Sequence, residues 1–301
     1  MKAQTVFLYL LATLTAMFFS VAWIGFYNPL SEENVVDVIN STQVRPYVMR
    51  VLMPFLARTL TRVLPLQPDI AIFIVVSISI IMMYISLIYF FSAFIGDNPR
   101  TEVTAFICFI LVIAMIGVHR KIYDPATVML FSFSLGLLAR RKFTAFYLLF
   151  PIVTLNRETS FLLTLFFIAY FYKRISMPKY LFGIYWQGLI FLGIKFSLEY
   201  IFASQAGDSF LIRPALLFQT YFSNWQPALF LLILLLASIF TVFKRWNRKP
   251  AFLRTAYLSM FPLQLLLYVI FGYAFEIRVM IESFPTLFLL SYLAWNKHPA
   301  E

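Results

Sequence analysis

Residues suited to acid–base chemistry and phosphate binding stand in short charged segments between long apolar runs. Asn156-Arg157-Glu158 joins two apolar runs of only about 13 and 15 residues, whereas about 20 residues are needed to span a bilayer. Helices this short would leave Arg157 and Glu158 below the membrane surface, where a charge costs roughly 2.5 to 3.5 kcal/mol. We therefore predict a functional site here, in which Arg157 binds phosphate, Glu158 is a candidate catalytic carboxylate and Asn156 lies beside them. The purely structural alternative is an Arg157–Glu158 pair with Asn156 as a helix cap.

A second charged segment, residues 119–124, combines three basic residues with a carboxylate. A phosphate would balance these cations, so we predict that Arg120 and Lys121 bind phosphate with His119 and Tyr123 beside them. Asp124 is a candidate catalytic carboxylate, although an Asp-Pro helix start is also explained by capping. Because no second His or Cys stands at ligand spacing, nothing signals a metal, and we expect no cofactor.

The longest polar stretch, residues 28–69, adds further acids. Glu32, Glu33 and Asp37 follow the first apolar segment and can be explained as the first turn of a helix, where acids are favoured. Asp37 fits this explanation least well. We predict it to be the general base that deprotonates an acceptor hydroxyl near the membrane surface.

The same stretch predicts an amphipathic helix lying in the membrane interface. Arg50, Arg58 and Arg62 fall on one i, i+4 row, with Pro54 between them as a predicted kink. Adhesion to anionic lipid explains such a cationic face. The functional alternative is that Arg45 and Arg50 bind a lipid-linked phosphate, for which the donor fork of arginine is well shaped.

Charged residues at helical spacing also occur near the end of the chain. Arg278 and Glu282 stand at i, i+4, as do Lys195 and Glu199, so both are predicted to form pairs. Glu276 and Arg278 open the last apolar segment on the predicted outer side, and we include them in the candidate site.

The elements that position these residues are predicted to be membrane helices. Of 301 residues, 62% are hydrophobic and 12% charged, compared with about 25% charged in a soluble domain. The low charge content excludes a disordered chain, and the single cysteine excludes a disulfide scaffold. We predict an all-α, polytopic integral membrane protein with one transmembrane domain, residues 1–301.

Ten apolar segments are predicted to cross the membrane. They lie at 5–27, 70–95, 103–118, 125–139, 143–155, 159–173, 180–203, 227–243, 254–273 and 277–295. The first is longer than the core of a cleavable signal peptide, which predicts an uncleaved anchor. Most lysines and arginines then lie on one side, so the positive-inside rule places both termini in the cytoplasm. The net charge of +11 is thus mainly an orientation signal.

This layout resembles the C-type glycosyltransferase fold. The similarity covers roughly residues 1–203 and consists of an uncleaved first helix, a long first outer loop with acids and an interfacial helix, and a second outer loop. It implies a transferase that uses polyprenyl-phosphate sugars at the outer membrane face. Asp37, or alternatively Glu32 or Glu33, then matches the acidic position of the first loop, and Asp124 matches that of the second. Members of the family often have a pair of acids in the second loop, whereas Asp124 stands alone.

The resulting hypothesis is a membrane glycosyltransferase acting at the outer, periplasmic or luminal face. It would move a sugar from a lipid-phosphate-linked donor to a hydroxyl of a glycan or lipid acceptor, with membrane lipid as surroundings and no nucleic acid as partner. A bacterial inner membrane is favoured over the endoplasmic reticulum. A polysaccharide polymerase or ligase, a transporter of lipid-linked substrates and an assembly subunit remain as alternatives.

Overall fold

The computed structural model describes residues 3–25, 35–117, 121–207, 214–272 and 276–296. These ranges contain helices and no strand, which confirms the all-α class. The α-helices are α1 (Ala3–Gly25), α2 (Val35–Asn40), α3 (Leu52–Val63), α4 (Pro68–Ile95), α5 (Pro99–Gly117), α6 (Asp124–Ala139), α7 (Phe143–Asn156), α8 (Phe161–Phe171), α9 (Met177–Ile201), α10 (Pro214–Ser223), α11 (Trp225–Phe243), α12 (Ala251–Phe271) and α13 (Phe284–Trp295). Short 3₁₀ turns lie at Tyr47–Met49, Glu158–Ser160, Trp246–Arg248 and Ile277–Met280.

Five of these helices, α1, α4, α5, α9 and α12, contain apolar stretches long enough to cross a membrane. Shorter apolar helices of 10–17 residues lie at Asp124–Ala139, Phe143–Asn156, Glu158–Phe171, Leu231–Phe243 and Phe284–Trp295. Each of the ten predicted apolar segments overlaps a helix. The five long helices indicate an integral membrane protein.

Helix α6 lies within the helix packing, and nearly all of its side chains are buried. Helices α4 and α7 pack along it. A close approach to α4 depends on Gly136, because a Cβ atom there would stand 2.6 Å from Cδ1 of Tyr89. Small residues allow membrane helices to approach in this way. Because α6 is packed in this way, the position of Asp124, its first residue, is fixed next to the segments that connect the neighbouring helices.

The loop before α4 differs from its predicted form. Helix α3 begins at Leu52, so Arg50 precedes the helix and does not share a helical row with Arg58 and Arg62. Pro54 lies in the first helical turn, where a missing backbone N–H costs no intrahelical hydrogen bond, and it does not kink the helix. The predictions that the three arginines share one helical row and that Pro54 kinks the helix are therefore wrong.

Helix α3 is nevertheless two-sided. Met53 and Ala57 are buried on the side where α3 packs against α4, whereas Phe55, Leu56 and Val63 are exposed. Exposed apolar side chains of this kind are suited to a membrane interface. The interfacial location of α3 remains a prediction.

We predict that Gly136→Leu lowers the unfolding temperature of the detergent-purified protein. The new side chain would collide with Tyr89 and press on the backbone of Phe90, and overpacking of this kind costs about 1–3 kcal/mol. Gly188→Leu on α9 is the matched control, since among the described residues no atom lies within 4 Å of a Cβ built there. Equal losses in both variants would contradict the close contact between α4 and α6.

Candidate functional site

The charged segments singled out in the sequence meet at one end of the helices, which we call the charged end. Arg50 precedes α3, Asp124 opens α6, Arg157 and Glu158 connect α7 to α8, and Arg278 lies in the 3₁₀ turn before α13. Their side chains form two sets of ion pairs, one joining Arg50 to Glu158 and one joining Asp124 to both Arg157 and Arg278. The two sets adjoin because Arg157 and Glu158 are consecutive residues. Four connections that are distant in sequence thus contribute to one cluster.

Asp124 is fully buried at the centre of this cluster. Its Oδ2 lies 3.1 Å from Nη1 of Arg278, and its Oδ1 lies 3.6 Å from Nη1 of Arg157. The capping explanation of Asp124 is wrong, because Tyr123 occupies the N-cap position and no side-chain cap bond forms there. The carboxylate instead neutralises two guanidinium groups, close to the positive end of the α6 dipole.

Glu282 is a second fully buried carboxylate of the cluster. Its Oε1 lies 3.2 Å from Nη1 of Arg157 and accepts a 2.7 Å hydrogen bond from the Thr159 hydroxyl. Its Oε2 accepts a 2.6 Å bond from the side-chain amide of Gln264 on α12. Arg157 therefore pairs with Glu282 and Asp124, and the alternative Arg157–Glu158 pair does not form.

Arg278 forms its ion pairs with Asp124 and with Glu276, which is also buried. The predicted i, i+4 pair between Arg278 and Glu282 is wrong. Residues 277–280 form a 3₁₀ turn, so the spacing that brings i and i+4 together on an α-helix does not apply. The predicted pair of Lys195 and Glu199, within α9, is confirmed at 3.0 Å.

Aromatic rings hold the cations on the remaining side of the cluster. Nη2 of Arg50 lies 3.3 Å from Oε1 of Glu158, and the guanidinium carbon lies 4.3 Å from the centre of the Tyr123 ring. The Lys121 ammonium lies 4.5 Å from the centre of the Tyr47 ring. Both distances are those of cation–π contacts, which stabilise a partly desolvated cation.

A cleft of about 200 Å³ lies beside these side chains. It is lined by Pro46, Tyr47, Arg50, Arg157, Glu158, Thr159, Phe161, Lys195, Leu267, Phe271, Gly272, Glu276, Arg278 and Val279. Charged groups and apolar side chains therefore share one cavity. Among the described residues, no group of three or more His, Cys, Asp or Glu could hold a metal ion.

The arginines of the cleft retain unused hydrogen-bond donors. Arg50, Arg157 and Arg278 are 8%, 5% and 3% exposed, and in the described parts of the chain the Nε of each has no hydrogen-bond partner. Leaving a buried donor unpaired costs about 1–3 kcal/mol. The positive charge of these three guanidinium groups would attract an anion into the cleft.

Glu158 is the most accessible carboxylate of the cluster, with 37% of its side chain exposed. Burial alone would raise its pKa, but attraction to Arg50 and Arg157 and hydrogen bonding to Arg50 outweigh this and lower the pKa to about 2. Glu158 is therefore ionised at neutral pH.

Three predicted site residues lie elsewhere or support the cluster from outside the cleft. Asp37 is not among the cleft residues, and its carboxylate accepts a 2.9 Å bond from Thr42. Nε of Arg45 donates to the backbone oxygen of Gln205 at 3.1 Å. Asn156 reaches α6 through a 2.8 Å bond to the Thr127 hydroxyl.

Of the remaining predicted site residues, two lie at the cluster and two fall outside the residues that the structure describes. Tyr123 stands beside Arg50, and Lys121 lies over the ring of Tyr47, whose centre is 5.5 Å from the guanidinium carbon of Arg50. His119 and Arg120 lie outside the described residues, so their predicted roles remain predictions.

Sequence reasoning missed Gln264, Thr159 and the tyrosine ring of Tyr47, and it assigned Glu282 only as a partner of Arg278. Gln264 carried a usable signal, since a polar side chain within an apolar helix generally faces protein rather than lipid. The ring of Tyr47 carried none, because aromatic residues make up 19% of the chain.

We predict strong energetic coupling between Asp124 and Arg278. Each single variant, Asp124→Asn or Arg278→Gln, breaks a buried ion pair and leaves the remaining charge with one partner fewer, which should cost about 3 kcal/mol. The double variant should lose clearly less than the sum of the two losses, by about 1–3 kcal/mol. Unfolding of the purified protein in mixed micelles measures the four free energies of this cycle.

The matched control is the same cycle on Lys195 and Glu199, with both residues changed to glutamine. This pair is partly exposed and joins i to i+4, so its coupling should be only about 0.3–0.5 kcal/mol. Additive losses for Asp124 and Arg278 would show that the buried contact does not hold the charged end together.

Comparisons with known proteins assign no family to the chain. No protein-family model, no curated protein and no solved structure matches it. The function is therefore argued from the residues of the cleft.

Proposed function

We propose that the protein is a membrane glycosyltransferase that moves a sugar from a lipid-phosphate-linked donor to an acceptor hydroxyl. The observation that carries this proposal is a cleft in which three buried arginines retain unpaired N–H groups beside apolar side chains. A ligand that matches both features has an anionic head group and an apolar tail. A polyprenyl-phosphate sugar has this chemistry.

The phosphate is best accommodated by Arg50, Arg157 and Arg278. Guanidinium groups bind phosphate oxygens through paired N–H donors. Two of the three, Arg157 and Arg278, are already held by Asp124, which does not line the cleft. Preorganised donors of this kind stabilise the charge that develops on a departing phosphate. Lys195, which also lines the cleft, adds a further cation.

The tail of the donor is best accommodated by the apolar side of the cleft. Leu267 and Phe271 of α12, Phe161 of α8 and Val279 line it. Ligand sites commonly combine such apolar walls with a few well-placed polar groups. The first units of a prenyl chain would lie against these side chains while the phosphate reaches the arginines.

Glu158 is our preferred general base, because it is the most accessible carboxylate in the cluster and lines the cleft. It would take the proton of the acceptor hydroxyl as the acceptor oxygen bonds to the sugar carbon and the bond from that carbon to the phosphate oxygen breaks. The leaving lipid phosphate keeps the electron pair. Asp124 is too enclosed for this step and would orient Arg157 and Arg278, while Asp37 is the alternative base indicated by the sequence.

The proposal also covers the number of membrane crossings and the sides of the membrane on which the termini and the charged end lie. Ten crossings would place the charged end at the outer membrane face and both termini in the cytoplasm, with α3 lying in the interface. The shorter apolar helices would cross where the charged end is recessed below the head groups. A bacterial inner membrane would supply polyprenyl-phosphate sugars from this side.

Glu158→Gln should reduce transfer by about 10²–10⁴-fold if Glu158 is the base, and Arg157→Gln should reduce it by about 10²–10³-fold through lost phosphate stabilisation. The assay is transfer from radiolabelled polyprenyl-phosphate hexoses and pentoses to endogenous acceptors in membrane vesicles containing the protein. Arg62→Gln, at an exposed position of α3, is the control and should retain activity.

Asp37→Asn separates the two candidate bases. Near-normal transfer in this variant together with a large loss in Glu158→Gln supports Glu158, and the reverse pattern supports Asp37. Full transfer by both Glu158→Gln and Arg157→Gln at wild-type expression levels would exclude the proposed reaction at this cleft.

A further inference from the structure

We propose that Arg50 moves from Glu158 to the phosphate of the bound donor, so that Glu158 becomes an effective base only when the cleft is loaded. This inference rests on the proposed function and adds a form of regulation to it. In the empty cleft the carboxylate that should take the proton is neutralised by the arginine that should bind the phosphate.

Glu158 is held differently from Asp124 and Glu282, the two fully buried carboxylates of the cluster. Asp124 pairs with two arginines, and Glu282 pairs with Arg157 and accepts two further hydrogen bonds. Glu158 has a single ion-pair partner among the described residues, Arg50, at 3.3 Å. Glu158 therefore loses its guanidinium partner if Arg50 is recruited by a ligand, and its partly exposed side chain is open to an acceptor.

Arg50 is well placed to be shared. Its side chain lines the cleft together with Glu158, and its Nε has no hydrogen-bond partner among the described residues. The ring of Tyr123 lies 4.3 Å from the guanidinium carbon, which keeps the group over the ring while its N–H edge exchanges one anion for another. A phosphate offers oxygens for two parallel N–H bonds, whereas Glu158 receives one.

Loss of Arg50 would alter the basicity of Glu158. The attraction of Arg50 is the largest influence that lowers the pKa of Glu158, followed by that of Arg157. Lys195, Glu276 and Arg278 line the same cleft and complete the charged groups around it. With Arg50 engaged by phosphate and a phosphate charge nearby, the pKa of Glu158 should rise, and its carboxylate should accept a proton more readily.

The consequence is an order of events in the transfer. An acceptor hydroxyl that enters an empty cleft meets a carboxylate occupied by Arg50 and keeps its proton. Once the donor phosphate has taken Arg50, the released Glu158 accepts the hydroxyl proton while the acceptor oxygen replaces the phosphate oxygen on the sugar carbon. After the lipid phosphate leaves, Arg50 returns to Glu158.

Chemical labelling of Glu158 tests this exchange without relying on activity. Carbodiimide with an amine converts protonated carboxyl groups to amides, and mass spectrometry measures labelling at each residue. Purified protein is labelled at mildly acidic pH with polyprenyl phosphate, with polyprenol as the tail-only control, or with neither. The exposed Asp97 serves as the internal reference.

Polyprenyl phosphate should increase labelling of Glu158 roughly tenfold or more relative to Asp97, because the protonated fraction rises tenfold for each unit of pKa. Polyprenol should have no such effect. Arg50→Gln should show high labelling of Glu158 without ligand and no further increase, whereas Arg62→Gln should behave like wild type. Unchanged or reduced labelling of Glu158 in protein saturated with polyprenyl phosphate would overturn the exchange.

Thermal stabilisation by the same lipid keeps the two proposals distinguishable. If polyprenyl phosphate raises the unfolding temperature of wild type but not of Arg157→Gln, while labelling of Glu158 stays constant, the phosphate site stands and the exchange is wrong. If the lipid stabilises neither protein and leaves labelling unchanged, both the exchange and the proposed donor site are wrong.

Discussion

The charged end depends on a buried carboxylate that two guanidinium groups neutralise. Removing an ion from water costs several kcal/mol, so Asp124 can lie inside the helix packing only while Arg157 and Arg278 remain against it. The contact with Arg278 joins residues 154 positions apart. The start of α6, the connection between α7 and α8, and the turn before α13 are thereby fixed relative to one another.

The ion pairs around Asp124 also separate the carboxylates that support the candidate site from the arginines that line the cleft. Asp124 and Glu282 lie behind the arginines and do not line the cleft. A guanidinium carries five N–H donors, so Arg157 and Arg278 can be held from behind and still present donors in front. Among the described residues, the Nε groups of both arginines have no hydrogen-bond partner, so the supporting carboxylates do not use every donor.

Much of the fold could be predicted from the sequence, because apolar runs of helical length leave few alternatives in lipid. The position of the candidate site in the chain could be predicted from the sequence, but the ion-pair partners of its residues could not. Charges between apolar runs that are too short marked Arg157 and Glu158, yet their partners come from elsewhere in the chain. The i, i+4 rule succeeded for Lys195, which lies within an α-helix, and failed for Arg278, which lies in a 3₁₀ turn.

The ion pairs of the charged end also differ in how readily they can exchange partners. Asp124 and Glu282 are fully buried, so water cannot take the place of a guanidinium that either carboxylate loses. Glu158 is partly exposed, and water can take the place of Arg50 at much lower cost. An incoming anion can therefore recruit Arg50 without disturbing the helix packing. The fully buried pairs preserve the shape of the cleft, whereas Arg50 and the partly exposed Glu158 can separate when an anion enters it.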